Sequence, residues 1–276
     1  MQELPEITFI KPEKNKAFTS ALYQVYLFGD TVHFELDHVE HVAEKGFILF
    51  LTPYQKLIWT QNAEKVMCLN FHGDFYCIEY HKKEVACNGL LFNNIYDNPC
   101  FRLTDKTYEE VGLIFQKITT EIHSNQDFSE SVVKSYLQLI LALCSKEKKM
   151  MLTSREVEMT HEPIAEKFEK LLDSYFLKER GVSFYANELH LTPSALSRKI
   201  KEATRKTPSQ LIKERIILEA KKQLHLTYKS VKEIAAELGF EDEFYFSRYF
   251  KKEVEISPIH YRDKVGIALV ASRDLN

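Results

Sequence analysis

The sequence predicts an α+β chain of more than one domain, with a strand-built N-terminal part, a helical segment and an all-α C-terminal part. Three observations predict it. Residues 21–104 are short apolar runs parted by Gly, Pro, Asn and Asp signals, the pattern of a small β-sandwich or barrel. From residue 105 apolar positions recur at steps of three and four, the period of amphipathic helices. Residues 183–262 then carry one helix-turn-helix pattern twice, an internal repeat. A chain of 276 residues with 45% hydrophobic content has material for about two cores.

Residues 1–16 alternate acidic, basic and proline residues, and no apolar run in the chain reaches the roughly 18 residues that a membrane span needs. Neither a signal peptide nor a span is expected. Strands are expected at Tyr23–Phe28, Val32–Leu36, Phe47–Leu51, 56–60, Val66–Phe71, 76–80 and 90–92. Phe47–Leu51 is apolar throughout, so it is expected to be buried on both faces. The five cysteines, at 68, 77, 87, 100 and 144, are odd in number and never form a CxxC pair. That usage suits a reducing cytoplasm and no zinc site.

Asp105 is placed to cap a helix bearing Tyr108, Val111, Phe115, Ile118 and Ile122. Asp127 with Glu130 opens another, whose stripe is Val132, Tyr136, Leu139 and Leu143. Val133, Leu137, Ile140, Leu141 and Cys144 widen that stripe, so the helix serves either an intramolecular core or a second chain as well. The polar stretch 146–160, with Ser154 near its middle, is the expected hinge. The divisions expected are a β domain over 1–104, a helical segment over 105–149, a linker over 150–162 and an all-α domain over 163–276.

In the first copy of the repeat, Ala186 and Leu189 lie on a short helix, His190 and Leu191 make the turn, and Thr192-Pro193 opens a second helix carrying Leu196 and Ile200. In the second, Ala235 and Leu238 precede a turn of Gly239 and Phe240, Asp242 caps, and Phe246 and Phe250 are the buried pair. The copies are 49 residues apart before the turn and 50 after it. Ser230 with Glu233 forms a capping box, and Pro193 follows an N-cap hydroxyl. Pro208 opens a connecting helix to about residue 224, with Leu211, Ile212, Ile216, Ala220 and Leu224 apolar. A rod of about 24 Å plus flanking turns sets the two second helices roughly 34 Å apart, one turn of DNA.

Each second helix leaves a matching face outside its apolar stripe: Ser194, Ser197, Arg198 and Lys201 in one, and Phe244, Ser247, Arg248 and Lys251, with Glu243 beside them, in the other. Arg can fork onto guanine edges, small side chains permit close approach, and Lys neutralises phosphate. A merely solvated basic face explains one such helix but not two with matching turns, caps and bases. Charge is divided accordingly, with 16 Lys and Arg against 22 Asp and Glu in residues 1–160 and 21 against 18 in 161–276. This suits a reader with local basic patches better than an undirected nucleic-acid coat.

The run Ile234-Ala235-Ala236-Glu237-Leu238-Gly239-Phe240, then Tyr245-Phe246-Ser247-Arg248-Tyr249-Phe250-Lys251-Lys252, Ser257-Pro258 and Tyr261-Arg262, resembles the C-terminal signature of the AraC/XylS family of bacterial transcription regulators. The resemblance covers about 80 residues. It departs where glycine usually follows each reading helix, since Arg205 and Glu255 stand there. A left-handed cap without glycine costs about 1 kcal/mol, so those ends are expected to terminate differently. The resemblance implies a cytoplasmic, non-enzymatic regulator without cofactors. Its N-terminal arm is implied to be a cupin-like β-barrel sensing a small molecule, followed by a helical dimerisation segment through Val132, Tyr136, Leu139 and Leu143. Partners so implied are double-stranded promoter DNA, a second copy of the chain and, for an activator, RNA polymerase.

Two other readings stay open, a metal-dependent cupin enzyme carrying a DNA module and a constitutive DNA-binding protein. For the first, His38, His41 and Glu44 are the nearest approach to a metal set. Spaced by three on a strand they face alternate sides and cannot converge without a bulge. His72, beside Gly73-Asp74, reads as a turn residue. Tyr54, Trp59, Tyr76 and Tyr80 are candidates for pocket lining or, more simply, core.

Overall fold

The computed structural model describes residues 5–11, 13–37, 39–62, 65–76, 90–92, 94–124, 126–157 and 164–266. The chain divides into two compact units, Met1–Asn94 with Asn98–Thr153 and Ile95–Asp97 with Ser154–Asn276.

The first unit has two antiparallel sheets. One runs β1 (Glu6–Ile10), β8 (Val66–Phe71), β3 (Tyr23–Phe28), β6 (Phe47–Leu51) and β9 (Cys100–Arg102), in that order. The other runs β2 (Ala17–Phe18), β7 (Leu57–Trp59), β4 (Val32–Leu36) and β5 (Val39–Ala43). In β3 every residue is buried, because both faces of its sheet are covered and side chains alternate between them. Val25 and Leu27 join Ile48, Phe50, Leu69 and Phe71 against the helices. Tyr26 and Phe28 join Leu49, Leu51 and Cys68 against Phe34, Leu36, Leu57 and Trp59 of the second sheet. Gln24 keeps its amide satisfied in that interior by donating to Asn70 Oδ1 at 2.8 Å. A buried amide left unpaired would cost about 1–3 kcal/mol.

The ladder does not close. Among the described residues no strand of one sheet pairs with a strand of the other, so the first unit is a two-sheet sandwich and not the closed barrel implied by the family resemblance. Closure needs a continuous ladder with a fixed stagger, and β2 and β7, of two and three residues, are too short to carry one round. Residues 90–92, expected as a strand, form a bend that drops Leu91 and Phe92 into the core, with Phe92 edge-on to Tyr23 and Phe50. The strand expected at 76–80 lies, apart from buried Tyr76, outside the described residues. Strands β1, β2, β5 and β9 were not expected; β1, β2 and β9 are held by partners distant in sequence, and β5 is the return strand of a tight hairpin on β4.

Helices α1 (Asp105–Ser124) and α2 (Ser129–Val157) pack on the five-stranded sheet through Val111, Ile114, Phe115 and Ile118 and through Val133, Leu137, Ile140, Leu141 and Cys144. Thr104, one residue before the expected cap, supplies the hydroxyl that accepts from Thr107 N at 3.4 Å. Residues 146–157 are helical, so the linker expected at 150–162 begins as the last turns of α2. Lys and Glu are good helix formers, and a run of them need not be a hinge.

Among the described residues the elements of the second unit are helices: α3 (Ile164–Tyr175), α4 (Val182–Glu188), α5 (Pro193–Thr204), α6 (Pro208–Leu226), α7 (Val231–Glu237), α8 (Glu243–Val254) and α9 (Pro258–Val265). The central α6 buries Leu211, Ile212, Ile216, Ile217, Ala220 and Leu224 and touches α3, α5, α7 and α9. Its 19 residues make a rod of about 28 Å. Thr207 and Gln210 close a capping box at its start.

Candidate DNA-reading surface

The two helix-turn-helix units are built by the same local bonds. In the first turn, Leu189 N, His190 N and Leu191 N donate to the carbonyls of Tyr185, Asn187 and Ala186; in the second, Leu238 N, Gly239 N and Phe240 N donate to those of Ile234, Ala236 and Ala235. The chain reverses through a left-handed residue in both, His190 at φ 54° and Gly239 at φ 75°. Only the second requires glycine for space as well, because a Cβ there would lie 2.9 Å from Leu177 O. The second turn then has one more residue, Glu241, before its cap.

Past the turn the two copies continue alike. Thr192 accepts from Ala195 N, and Asp242 from Phe244 N and Tyr245 N. Leu196 and Ile200 are buried where Phe246 and Phe250 are. Both reading helices end in a left-handed cap, Arg205 at φ 62° and Glu255 at φ 69°. The expectation that these ends would terminate differently is overturned. The glycine geometry is kept, with its cost, because the next helix must start at once: Thr207-Pro208 opens α6 and Ser257-Pro258 opens α9, each hydroxyl accepting from the third residue along.

These bonds hold two faces in the open. Ser194, Arg198 and Lys201 on α5, and Phe244, Arg248 and Lys251 on α8, are exposed; Ser197, Ser247 and Glu243 are half-exposed. Among the described residues none of the four bases holds a carboxylate, whereas several bases elsewhere in the unit do. Lys206 pairs with Glu214 at 2.6 Å, Lys213 with Glu253 at 3.1 Å, Arg215 with Asp173 at 2.8 Å and Lys229 with Glu237 at 2.6 Å. The reading faces therefore keep Arg and Lys uncommitted at matching positions, which is what phosphate and guanine contacts need.

Arg180 braces the second unit, although nothing in the sequence pattern singled it out. Its guanidinium lies 4.0 Å from the Phe240 ring centre and donates to Leu238 O at 2.6 Å. Arg180 and Leu238 are 58 apart in the chain, and no local signal links them. Phe240 gathers Tyr245, Phe246 and Tyr249 around it, which fixes the roll of α8.

Among the described residues the first unit offers no comparable site. Trp59 and Tyr76 are core, and Tyr54 is half-buried; Tyr80 lies outside the described residues. His41 stacks on Phe34 at 5.3 Å, Glu44 is exposed beyond β5, and His38 is outside the described residues. Among the described residues no three His, Cys, Asp or Glu groups are placed to hold a metal. His72 is a turn residue, its carbonyl accepting from Phe75 N and Tyr76 N. Burial pushes the Cys68 and Cys100 thiols up to about 12 and Cys144 higher still, so they behave as apolar filling. Among the described residues no helix is long and apolar enough to cross a membrane.

Two tandem helix-turn-helix units with free basic faces define a DNA-binding domain. Residues 185–264 match the helix-turn-helix domain family, so this segment is a helix-turn-helix DNA-binding domain, similar to those of AraC/XylS transcription regulators. The HTH-type transcriptional activator RhaR of Enterobacter sp. (strain 638) is 25% identical over 199 residues, 68% of this chain and 67% of that protein. RhaS of Mannheimia succiniciproducens is 35% identical over 91 residues, 33% of this chain and 34% of that protein. The regulatory protein SoxS of Salmonella typhimurium is 25% identical over 107 residues, which are 39% of this chain and the whole of SoxS.

Proposed function

We propose that this chain is a cytoplasmic, dimeric regulator that reads promoter DNA in two successive major grooves, through α5 and α8, and responds to a small molecule through its first unit. The observation that carries the reading is the pair of uncommitted basic faces at equivalent places of the repeat. Arg198 and Arg248 are assigned to base edges, and Lys201 and Lys251 to phosphate. Ser194, Ser197 and Ser247 allow close approach, and Glu243 is set to accept from a cytosine amine. The name activator borne by RhaR and RhaS favours RNA polymerase as a further partner.

Dimerisation is assigned to the flank of α2. The core takes Val133, Leu137, Ile140, Leu141 and Cys144, all fully buried. That leaves Val132, Tyr136 and Leu143 half-buried and Leu139 41% exposed. An apolar flank of this kind is suited to a second copy. An effector would act by favouring one arrangement of the units over another.

The test is binding to a duplex selected by the protein from random DNA. Arg198→Ala or Arg248→Ala is expected to cost about 1–3 kcal/mol and to relax preference in one groove only. Lys201→Ala or Lys251→Ala is expected to weaken all sequences alike and lower the salt slope by about one unit. Equal loss on every sequence when Arg198 is removed would sink the base-reading role.

A further inference from the structure

The two reading faces agree at three of their four positions. Ser197, Arg198 and Lys201 on α5 correspond to Ser247, Arg248 and Lys251 on α8. The fourth position differs in kind: Ser194 opens the face of α5, and Phe244 opens that of α8. Phe244 is 67% exposed. Its backbone is fixed, since Phe244 N and Tyr245 N both donate to the Asp242 carboxylate at 3.0 Å.

The other aromatic rings of α8 are engaged. Tyr245, Phe246 and Tyr249 pack on Phe240, and Phe250 packs on Phe246 and Tyr261. Among the described residues Phe244 is the ring of this helix that meets no other ring. A large apolar side chain held in water, one turn ahead of an arginine placed to read bases, is kept at a cost to the free protein. N-terminal residues of a recognition helix are those that reach base edges. In the major groove of unmodified DNA, the apolar group on a base edge is the thymine 5-methyl.

We infer that Phe244 makes α8 selective for a thymine, by burying that base's 5-methyl group next to the pair read by Arg248, and that α5, with Ser194 in its place, has no such requirement. The inference rests on α8 lying in the major groove, as proposed above. It makes the two half-sites chemically unequal, which gives the domain a direction on its site. A ring stacked on the sugar-phosphate backbone would also be buried but would be indifferent to the methyl.

The experiment uses the full chain and a duplex it selects from random DNA, with thymines replaced one at a time by deoxyuridine, which removes the methyl and keeps the pairing. The half-site of α8 is the one whose preference is relaxed by Arg248→Ala. We expect one replacement in that half to weaken binding about fourfold, equivalent to ~0.8 kcal/mol for one buried methyl. No thymine in the α5 half should behave so. In Phe244→Ser, which copies α5, the penalty should vanish while circular dichroism stays that of the parent. No deoxyuridine penalty in the α8 half, or a penalty undiminished in Phe244→Ser, overturns the inference and leaves base reading by Arg248 intact. A chain that selects no sequence at all overturns both.

Discussion

Replacing Arg205 by glycine should stabilise the second unit. Arg205 holds φ 62° and ψ 3° at the end of α5, where an L side chain crowds the backbone at a cost of about 1–2 kcal/mol. Glycine removes that crowding but loses about 0.4–1 kcal/mol through the greater freedom of the unfolded chain. The expected net gain is about 0.5–1 kcal/mol, a rise of about 2–5 °C in a unit of this size. Arg205 is exposed, so little packing is lost with it. Gly239→Ala is the opposite case, because φ 75° and a carbonyl oxygen 2.9 Å from the added Cβ combine to destabilise by about 2–4 kcal/mol. The full chain suits the assay, since its one tryptophan, Trp59, is buried between the sheets of the first unit. Tryptophan fluorescence follows that unit alone, and far-ultraviolet circular dichroism follows the helices of both units, so the second unit is read from the part of the dichroism transition that fluorescence does not share. Arg205→Gly should raise the helical midpoint, and Gly239→Ala should lower it. An Arg205→Gly midpoint equal to or below the parent's would refute the strain argument for both left-handed caps.

Leu139→Glu should turn the proposed dimer into a folded monomer in analytical ultracentrifugation, since the side chain is already 41% exposed within one chain and a buried charge at a contact is costly; a folded variant of unchanged mass would move the interface elsewhere. Residues 161–276 alone should fold and bind one site, and the intact chain should gain affinity chiefly on two-site DNA at the same salt, through tethering; an equal gain on one site would mean that the first unit helps build the reading surface. Burial, then Asp173 and Glu166, push the Glu169 carboxyl from 4.5 up to about 7. Its contribution to stability is therefore full below about pH 4.5 and is lost as pH rises through about 7. Glu169→Gln should flatten the pH dependence of the urea midpoint between pH 5 and 8, and identical slopes in the two proteins would exclude this carboxyl as the cause.

The parts legible in the sequence are those fixed by local chemistry. Both helix-turn-helix units could be read because Thr192, Ser230 and Asp242 cap within three residues, and because the reading faces follow from helical spacing alone. Strands β3, β4, β6 and β8 could be read from apolar runs between turn signals. Strand β1 could not, since Glu6–Ile10 with Phe9 75% exposed has no strong pattern and is held by pairing with Val66–Phe71. The open sandwich was hidden for the same reason: which strand edges meet is decided by partners far along the chain. On α2 the widened apolar stripe was visible, but its division was not. The residues read as the extra width proved to be the core-facing set. The ion pairs that leave only some bases free are likewise contacts across the fold.

The central helix α6, enclosed by α3, α5, α7 and α9, has a consequence for the DNA. A rod packed against four neighbours cannot lengthen or pivot, so the gap between the two reading helices is set by protein geometry before any duplex arrives. If α5 and α8 enter successive grooves as proposed, accommodation comes from the double helix. Base pairs lying between the two subsites, touched by neither reading face, would be chosen for how readily they bend and overtwist to bring both grooves into register, and flexible pyrimidine–purine steps there would be favoured over stiff A-tracts.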